Sequence, residues 1–297
     1  MTQLKILIGR NIRLFFKDKG LFLTSLITPM ILLVLYATFL GNIYRDSFLM
    51  SVPGIDEGLV NACVGGQLLS SILSVSAVTV AVSSNMLMVQ DKANGTLSDL
   101  MISPVRPYAL SLAYYIATLV STLAVCFSAL AVCLIYVACI GWYMSLADVL
   151  LIVLDVLILV LFGTALSSVI NFFLSTQGQI SAVGSIISSC YGFICGAYMP
   201  ISQFSKGLRN TVGVLPGTYG TSLLRRHALA GAIREMEESG IPEPAINAMR
   251  DAVDINIYVG DATVPVWVMY TALTAVTVLL IGAYVLENVL RERNRSK

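Results

Sequence analysis

Charged residues make up only 12% of this chain, against roughly 25% in an ordinary soluble domain. So few charges cannot coat a water-facing surface, which excludes a soluble globular fold. Histidine is nearly absent too: His227 is the single one among 297 residues. With one imidazole and no Ser, His and Asp at catalytic spacing, neither nucleophilic nor zinc-dependent hydrolysis has visible apparatus. Six cysteines are present without a CxxC pair, which removes the common metal and redox signatures. No GxxxxGKS or GxxxxGKT phosphate loop occurs, so the chain is not expected to bind and hydrolyse ATP by itself. Catalytic and metal-ligating residues are therefore assigned to no position.

Long apolar runs are what the chain does have, with mean hydropathy +0.84. Six stretches are almost free of charge: Gly20 to Gly41, Leu59 to Val89, Leu110 to Ile140, Leu146 to Leu174, Ile180 to Met199 and Val264 to Leu286. Each reaches the roughly 20 residues needed to cross a hydrocarbon core of about 30 Å, and in lipid only a helix satisfies its own backbone. The expected fold is all-α: a polytopic membrane protein with six transmembrane helices, an N-terminal interfacial helix and re-entrant outer helices between spans five and six. Residues 1–297 read as a single transmembrane domain, with 1–19 as the interfacial helix, 90–107 as a cytoplasmic loop and 200–263 as an outer segment.

Placement of charge sets the orientation. Lys5, Arg10, Arg13, Lys17 and Lys19 precede the first span, Lys92 and Arg106 lie between spans two and three, and Arg291, Arg293, Arg295 and Lys297 follow the last. All fall on one side, so both termini are expected in the cytoplasm. Membrane lipid is the immediate partner, and nothing in the pattern calls for nucleic acid. Leu4, Leu7, Ile8, Ile12, Phe15 and Phe16 recur at helical spacing opposite Arg10, Arg13 and Lys17, as in a helix lying in the interface. The first apolar run is too long for a signal h-region and has no small-residue cleavage site after it, so Met1 is expected to stay attached. Cys63, Cys126, Cys133, Cys139, Cys190 and Cys195 all lie in or beside spans and read as packing residues.

Two spans carry small polar stripes. Gln67, Ser70, Ser71 and Ser74 share one face of span two, and Ser181, Ser185, Ser188 and Gly192 share one face of span five. Close helix packing and the lining of a substrate path both account for them. Asp155 lies inside the fourth run; with no cation in the adjacent apolar segments, it reads as a carboxylate reaching toward the outer interface, and a functional role is the other reading. Glu287 reads as interfacial. From Pro200 to Gly220 the chain is apolar but punctuated by Pro and Gly, as short dipping helices would be. From Thr221 to Asp254 it is polar, and its mixed charges predict a face in the outer aqueous space.

The informative cytoplasmic segment is QDKANGTLSDLMISPVRP, Gln90 to Pro107. Asn94 and Gly95 break the preceding helix, Thr96 can cap the next, and Leu97, Leu100 and Met101 share one apolar face. Pro104 and Pro107 stop it before span three. A short capped helix with such a face needs a partner, or else the membrane surface to lie on. The LSTQGQ run from Leu174 to Gln179 has the letters of an ATPase signature without its companion motifs, and reads as a connector.

The Asn94 to Pro107 run, N-G-T-L-x-x-L-x-x-x-P-V-x-x, is similar to the G-T-L-x-x-L-x-x-x-P segment of type-2 ABC exporter permeases, the membrane subunits of ABC transporters. GAYMP at Gly196 to Pro200, followed by LPGTYGTSLLR at Leu215 to Arg225, resembles that family's span-five exit and its L-P-x-x-Y-x-x-x-x-x-R stretch. Where the family often has acidic residues beside G-T-L, this chain has Ala93 and Ser98, with Asp91 and Asp99 close by.

The resemblance implies a permease without enzymatic activity, working in an assembly of two permeases and two ABC ATPase subunits. The second permease would be another copy or a homologous chain. No cofactor is expected in this chain; ATP and Mg belong to the partner ATPase. Gly95, Thr96, Leu97, Asp99, Leu100 and Met101 would form the coupling helix seated in an ATPase groove. Gln67, Ser71, Ser74, Ser181, Ser185 and Ser188 would border the translocation path for an amphipathic drug, lipid, peptide or glycan-like substrate, moved by alternating access. A bacterial inner membrane is implied by the same analogy. The competing reading is a secondary transporter or channel independent of an ATPase, for which Asp155 is the one deep carboxylate.

Overall fold

The amphipathic opening residues form α1 (Thr2–Lys17), which turns Leu7 and Phe15 inward and leaves Lys5, Arg13 and Lys17 outside. The structure is a computed structural model that describes residues 2–52, 54–102, 107–260 and 262–295. Asp18 separates α1 from α2 (Lys19–Leu35): its Oδ1 accepts from the amides of Gly20 and Leu21 at 2.9 and 3.1 Å, satisfying helix-end donors. A π-helical turn, Tyr36–Leu40, leads straight into α3 (Gly41–Ser51), so that 33 residues run as one rod. The first span therefore continues well past Gly41. Tyr44 and Phe48, one turn apart, stay buried, and Arg45 is held by Asn61 and Glu57 at 2.9 Å each.

Asp56 caps α4 (Glu57–Ala93), accepting from the Gly58 amide at 2.8 Å. Next come α5 (Thr96–Ile102) and α6 (Pro107–Ile140). A reciprocal capping box of Ser145 and Asp148 opens α7 (Leu146–Phe173), and one of Thr176 and Gln179 opens α8 (Gln177–Ile194). The LSTQGQ run is thus a helix start, whose letters meet the local need to satisfy free amides. A 3-10 turn, Ile201–Gln203, precedes α9 (Lys206–Val212), α10 (Pro216–Glu238) and α11 (Glu243–Ala252). A two-residue hairpin, β1 (Tyr258–Val259) antiparallel to β2 (Ala262–Thr263), leads into α12 (Val266–Arg295).

The axis of the bundle is α4, which packs against α2, α6, α7, α8 and α10 and is buried along almost its whole length. Small residues let backbones approach. A side chain at Gly66 would come within 2.8 Å of the Ala228 carbonyl on α10, and one at Gly163 of α7 would strike the Ala77 carbonyl of α4.

Five of the described helices are long and apolar enough to cross a membrane: Lys19–Ser51, Glu57–Ala93, Tyr108–Ile140, Leu146–Phe173 and Val266–Leu290. The expected sixth, Ile180 to Met199, is α8, which has only 18 residues and a length of about 27 Å. Gln177, Gln179 and its serines dilute its apolar character, and the chain leaves the helix before Gly196, where φ is 74°. Trp142 and Trp267 stand exposed before α7 and at the start of α12, where interfacial aromatics belong.

The outer segment corrects the sequence reading. Short α9 and the start of α10 replace a continuous span, as expected, but α10 does not project into solvent beyond Thr221. It runs antiparallel to α7, from Gly220 against Leu159 to Arg234 beside Asp148 at the start of α7, and stays largely buried to Met236. Glycines and alanines on α10 permit this contact, so its charges are drawn inside. The cysteines divide: Cys63, Cys126, Cys133 and Cys195 are buried packing residues, whereas Cys139 and Cys190 are exposed.

Candidate functional site

The elbow between α4 and α5 is built by backbone. Asn94 closes α4 with its N–H on the Gln90 carbonyl at 2.9 Å, and Gly95 turns the chain at φ 80°, a conformation glycine adopts without strain. Its carbonyl then accepts from Ser98 and Asp99 at 2.9 and 3.3 Å and begins α5. Thr96 is accordingly the first helical residue and not the cap. Leu97, 7% exposed, joins Leu7 of α1, Leu87 and Met88 of α4, and Leu110, Ala113 and Tyr114 of α6; Leu100 and Met101 pack against this cluster. The apolar face that called for a partner thus finds one within the chain, because α1 folds back beneath α5. Outward, α5 presents Ser98, Asp99 and Ile102, the last 85% exposed. Pro104 and Arg106 lie outside the described residues.

Directly before the elbow, α4 ends in two tethers that the sequence reading did not find. Asp91 receives both guanidinium nitrogens of Arg10, at 2.8 and 3.2 Å, and the Tyr114 hydroxyl at 2.5 Å. The hydrogen bonds to Asp91 raise the Arg10 pKa above its ordinary value against the opposing effect of burial. Lys92 Nζ donates to the carbonyls of Asn171, Phe172 and Leu174 at 3.1, 2.8 and 3.2 Å, capping the C-terminus of α7. The available signal was an acid and a base at the foot of an apolar run; their partners are distant in sequence.

A groove with a cavity of about 1460 Å³ runs between α8 and the α2–α3 rod, with Ser83, Met86 and Gln90 of α4 at its floor. Ser181, Ser185 and Ser188 line it together, facing Ile27, Ile31 and Phe39. Gln67, Ser71 and Ser74 do not. All three are fully buried; Ser71 meets the Tyr36 hydroxyl at 3.3 Å, and Ser74 donates to the Ser71 carbonyl at 3.1 Å. Around Gln67, Ser71 and Ser74 α4 is enclosed by neighbouring helices, so this stripe is packed, whereas the α8 stripe faces open space.

Polar side-chain pairs fasten α10. Arg225, 1% exposed, binds Asp254 at 3.2 Å, the Val253 carbonyl at 3.1 Å and the Gly196 carbonyl. Asp254 also accepts from the amides of Ile201 and Ser202 at 2.6 and 3.1 Å. Burial pushes the Asp254 carboxyl up from its usual range, and Arg225 pulls it back. Arg234 pairs with Asp148. Asp155 is 2% exposed and meets His227 Nδ1 at 2.6 Å and the Tyr270 hydroxyl at 2.6 Å. The carboxylate does not reach toward the surface: it is held inside the bundle by a residue of α10, from the outer segment, and one of α12.

In comparison with known families, the family model described as ABC-2 type transporter matches residues 2–227. No curated protein matches the chain.

Proposed function

Because the chain belongs to the ABC-2 type transporter family, we propose that it is the permease subunit of an ATP-driven exporter and that the outward face of α5 docks on the ATPase. The carrying observation is the bracing of α5: Leu97 and its neighbours lock it onto α1, α4 and α6, while Asp99 and Ile102 stand free to be gripped. A push on α5 reaches α4 through Leu97, α1 and α6 through Asp91, and α7 through Lys92. Force on one turn of helix thereby becomes displacement of rigid rods. Such coupling needs two arrangements that nucleotide biases.

In this reading two ATPase subunits supply ATP and Mg, and two permeases, copies of this chain or one copy with a homologue, meet along a seam. The groove between α8 and the α2–α3 rod is the path for an amphipathic cargo moved by alternating access. Both termini face the cytoplasm, and the membrane is a bacterial inner membrane. ATPase-independent secondary transport is less well supported, since both oxygens of its candidate carboxylate, Asp155, are engaged by His227 and Tyr270.

Purification with the native ATPase and reconstitution into vesicles tests the proposal. ATP-dependent movement of cargo, abolished when Ile102 becomes Asp, is expected. Uphill movement by the permease alone, driven by an ion gradient without nucleotide, overturns it.

A further inference from the structure

Resting on the groove as the substrate path, we propose that the cargo is a cationic amphipath: a molecule with an apolar flank, a hydrogen-bonding flank and a positive head group. The two walls of the groove differ in chemistry. On one side Ile27, Ile31 and Phe39 are 50%, 50% and 58% exposed within this chain and form an apolar ridge. On the other, Ser181, Ser185 and Ser188 offer hydroxyls and no charge. A molecule seated between them is rewarded for being two-sided.

Charge is confined to the mouths. Among the described residues lining the groove, the charged ones are Asp18 and Asp46, with no Lys, Arg or His. Asp18 immediately precedes the α2–α3 rod and Asp46 lies on its α3 part, 28 positions apart, or about 42 Å along a helix. Asp18 caps α2 through Oδ1 alone, and Asp46 stands exposed. Lys17 and Lys19 flank Asp18 in the chain and Arg45 precedes Asp46, yet none of these lines the groove; Arg45 is turned to Asn61 and Glu57. Between the mouths a head group of either sign leaves water without counter-charge, a costly transfer; an anionic one in addition meets no cation on the groove wall, where the charges at either end are carboxylates. A cation is drawn to either mouth by the same carboxylates.

The test uses two fluorescent rods of one shape and opposite charge, trimethylammonium-diphenylhexatriene and diphenylhexatriene propionate, in vesicles holding the permease with its ATPase. ATP-dependent extrusion of the cation is expected to exceed that of the anion by about tenfold, and the double variant Asp18→Asn with Asp46→Asn, in which asparagine retains the cap, to cut that ratio to about threefold or less. Equal rates, a faster anion, or a ratio that survives both substitutions overturns the proposal. A second measurement needs no transport. With Cys139 and Cys190 replaced by serine, Ser185→Cys is labelled by cationic and anionic methanethiosulfonates, each rate divided by that of a free thiol. A normalised preference for the cation of about tenfold is expected, and a ratio of one or below overturns the charge argument. If the labelling preference holds while an assembly that hydrolyses ATP moves neither rod, the path reading falls and takes the proposal with it.

Discussion

Arg10 grips Asp91 with both terminal guanidinium nitrogens, at 2.8 and 3.2 Å, across 81 residues of chain. The Tyr114 hydroxyl donates to the same carboxylate, so three helices meet one turn above the elbow. Arg10→Ala leaves a carboxylate that is 9% exposed with the phenol as its remaining side-chain partner. A loss of about 1–3 kcal/mol is expected, read as a lower melting temperature in nanodiscs. The swap of Arg10→Asp with Asp91→Arg should recover part of it; a swap as unstable as the single variants argues against the pair.

Opposite sides of α5 should respond in opposite ways. Ile102→Asp, at a side chain 85% exposed, should change stability by no more than about 0.5 kcal/mol while abolishing co-purification of the ATPase. Leu97→Asp buries an unpaired charge in the α1–α4–α6 cluster and should cost upward of about 3 kcal/mol, seen as poor expression. ATPase retention by well-folded Ile102→Asp would contradict the docking face.

Removing Arg225 strands Asp254, which is 3% exposed. Arg225→Leu should cost about 3–5 kcal/mol, and the outer segment should become the first site of proteolysis. Adding Asp254→Asn should restore much of the resistance, because the unpaired charge is then gone. Undiminished protease resistance in the single variant would remove the pair from the account of how the outer segment is held.

At Asp155 the expected signature is non-additivity. Tyr270→Phe removes one hydrogen bond of 2.6 Å at an expected cost of about 1–3 kcal/mol. Asp155→Asn combined with Tyr270→Phe should cost less than the sum of the two, since both break one network. Thermal melts of the two single variants and the double variant decide it, and strict additivity refutes the network.

Periodicity and hydropathy were enough to read five long apolar spans, the amphipathic helix at the start of the chain, the short helix after Gly95 and the break at Asn94. Each depends on neighbours within one or two turns. They also placed Ser181, Ser185 and Ser188 on one face, and that face lines the groove. For Gln67, Ser71 and Ser74 the packing reading is the one the burial fits, because a stripe states which residues share a face and not what lies opposite it. On α4 the opposite side is protein; on α8 it is open space.

Local chain chemistry, then, decided that this protein lives in lipid and which segments are helical, since those properties follow from transfer free energy and backbone hydrogen bonding summed over adjacent residues. Packing in three dimensions decided the partners. His227 reaches Asp155 across 72 positions and Lys92 reaches Phe172 across 80, pairings without periodic trace, because burial lets a charge choose the nearest counterpart in space and not along the chain.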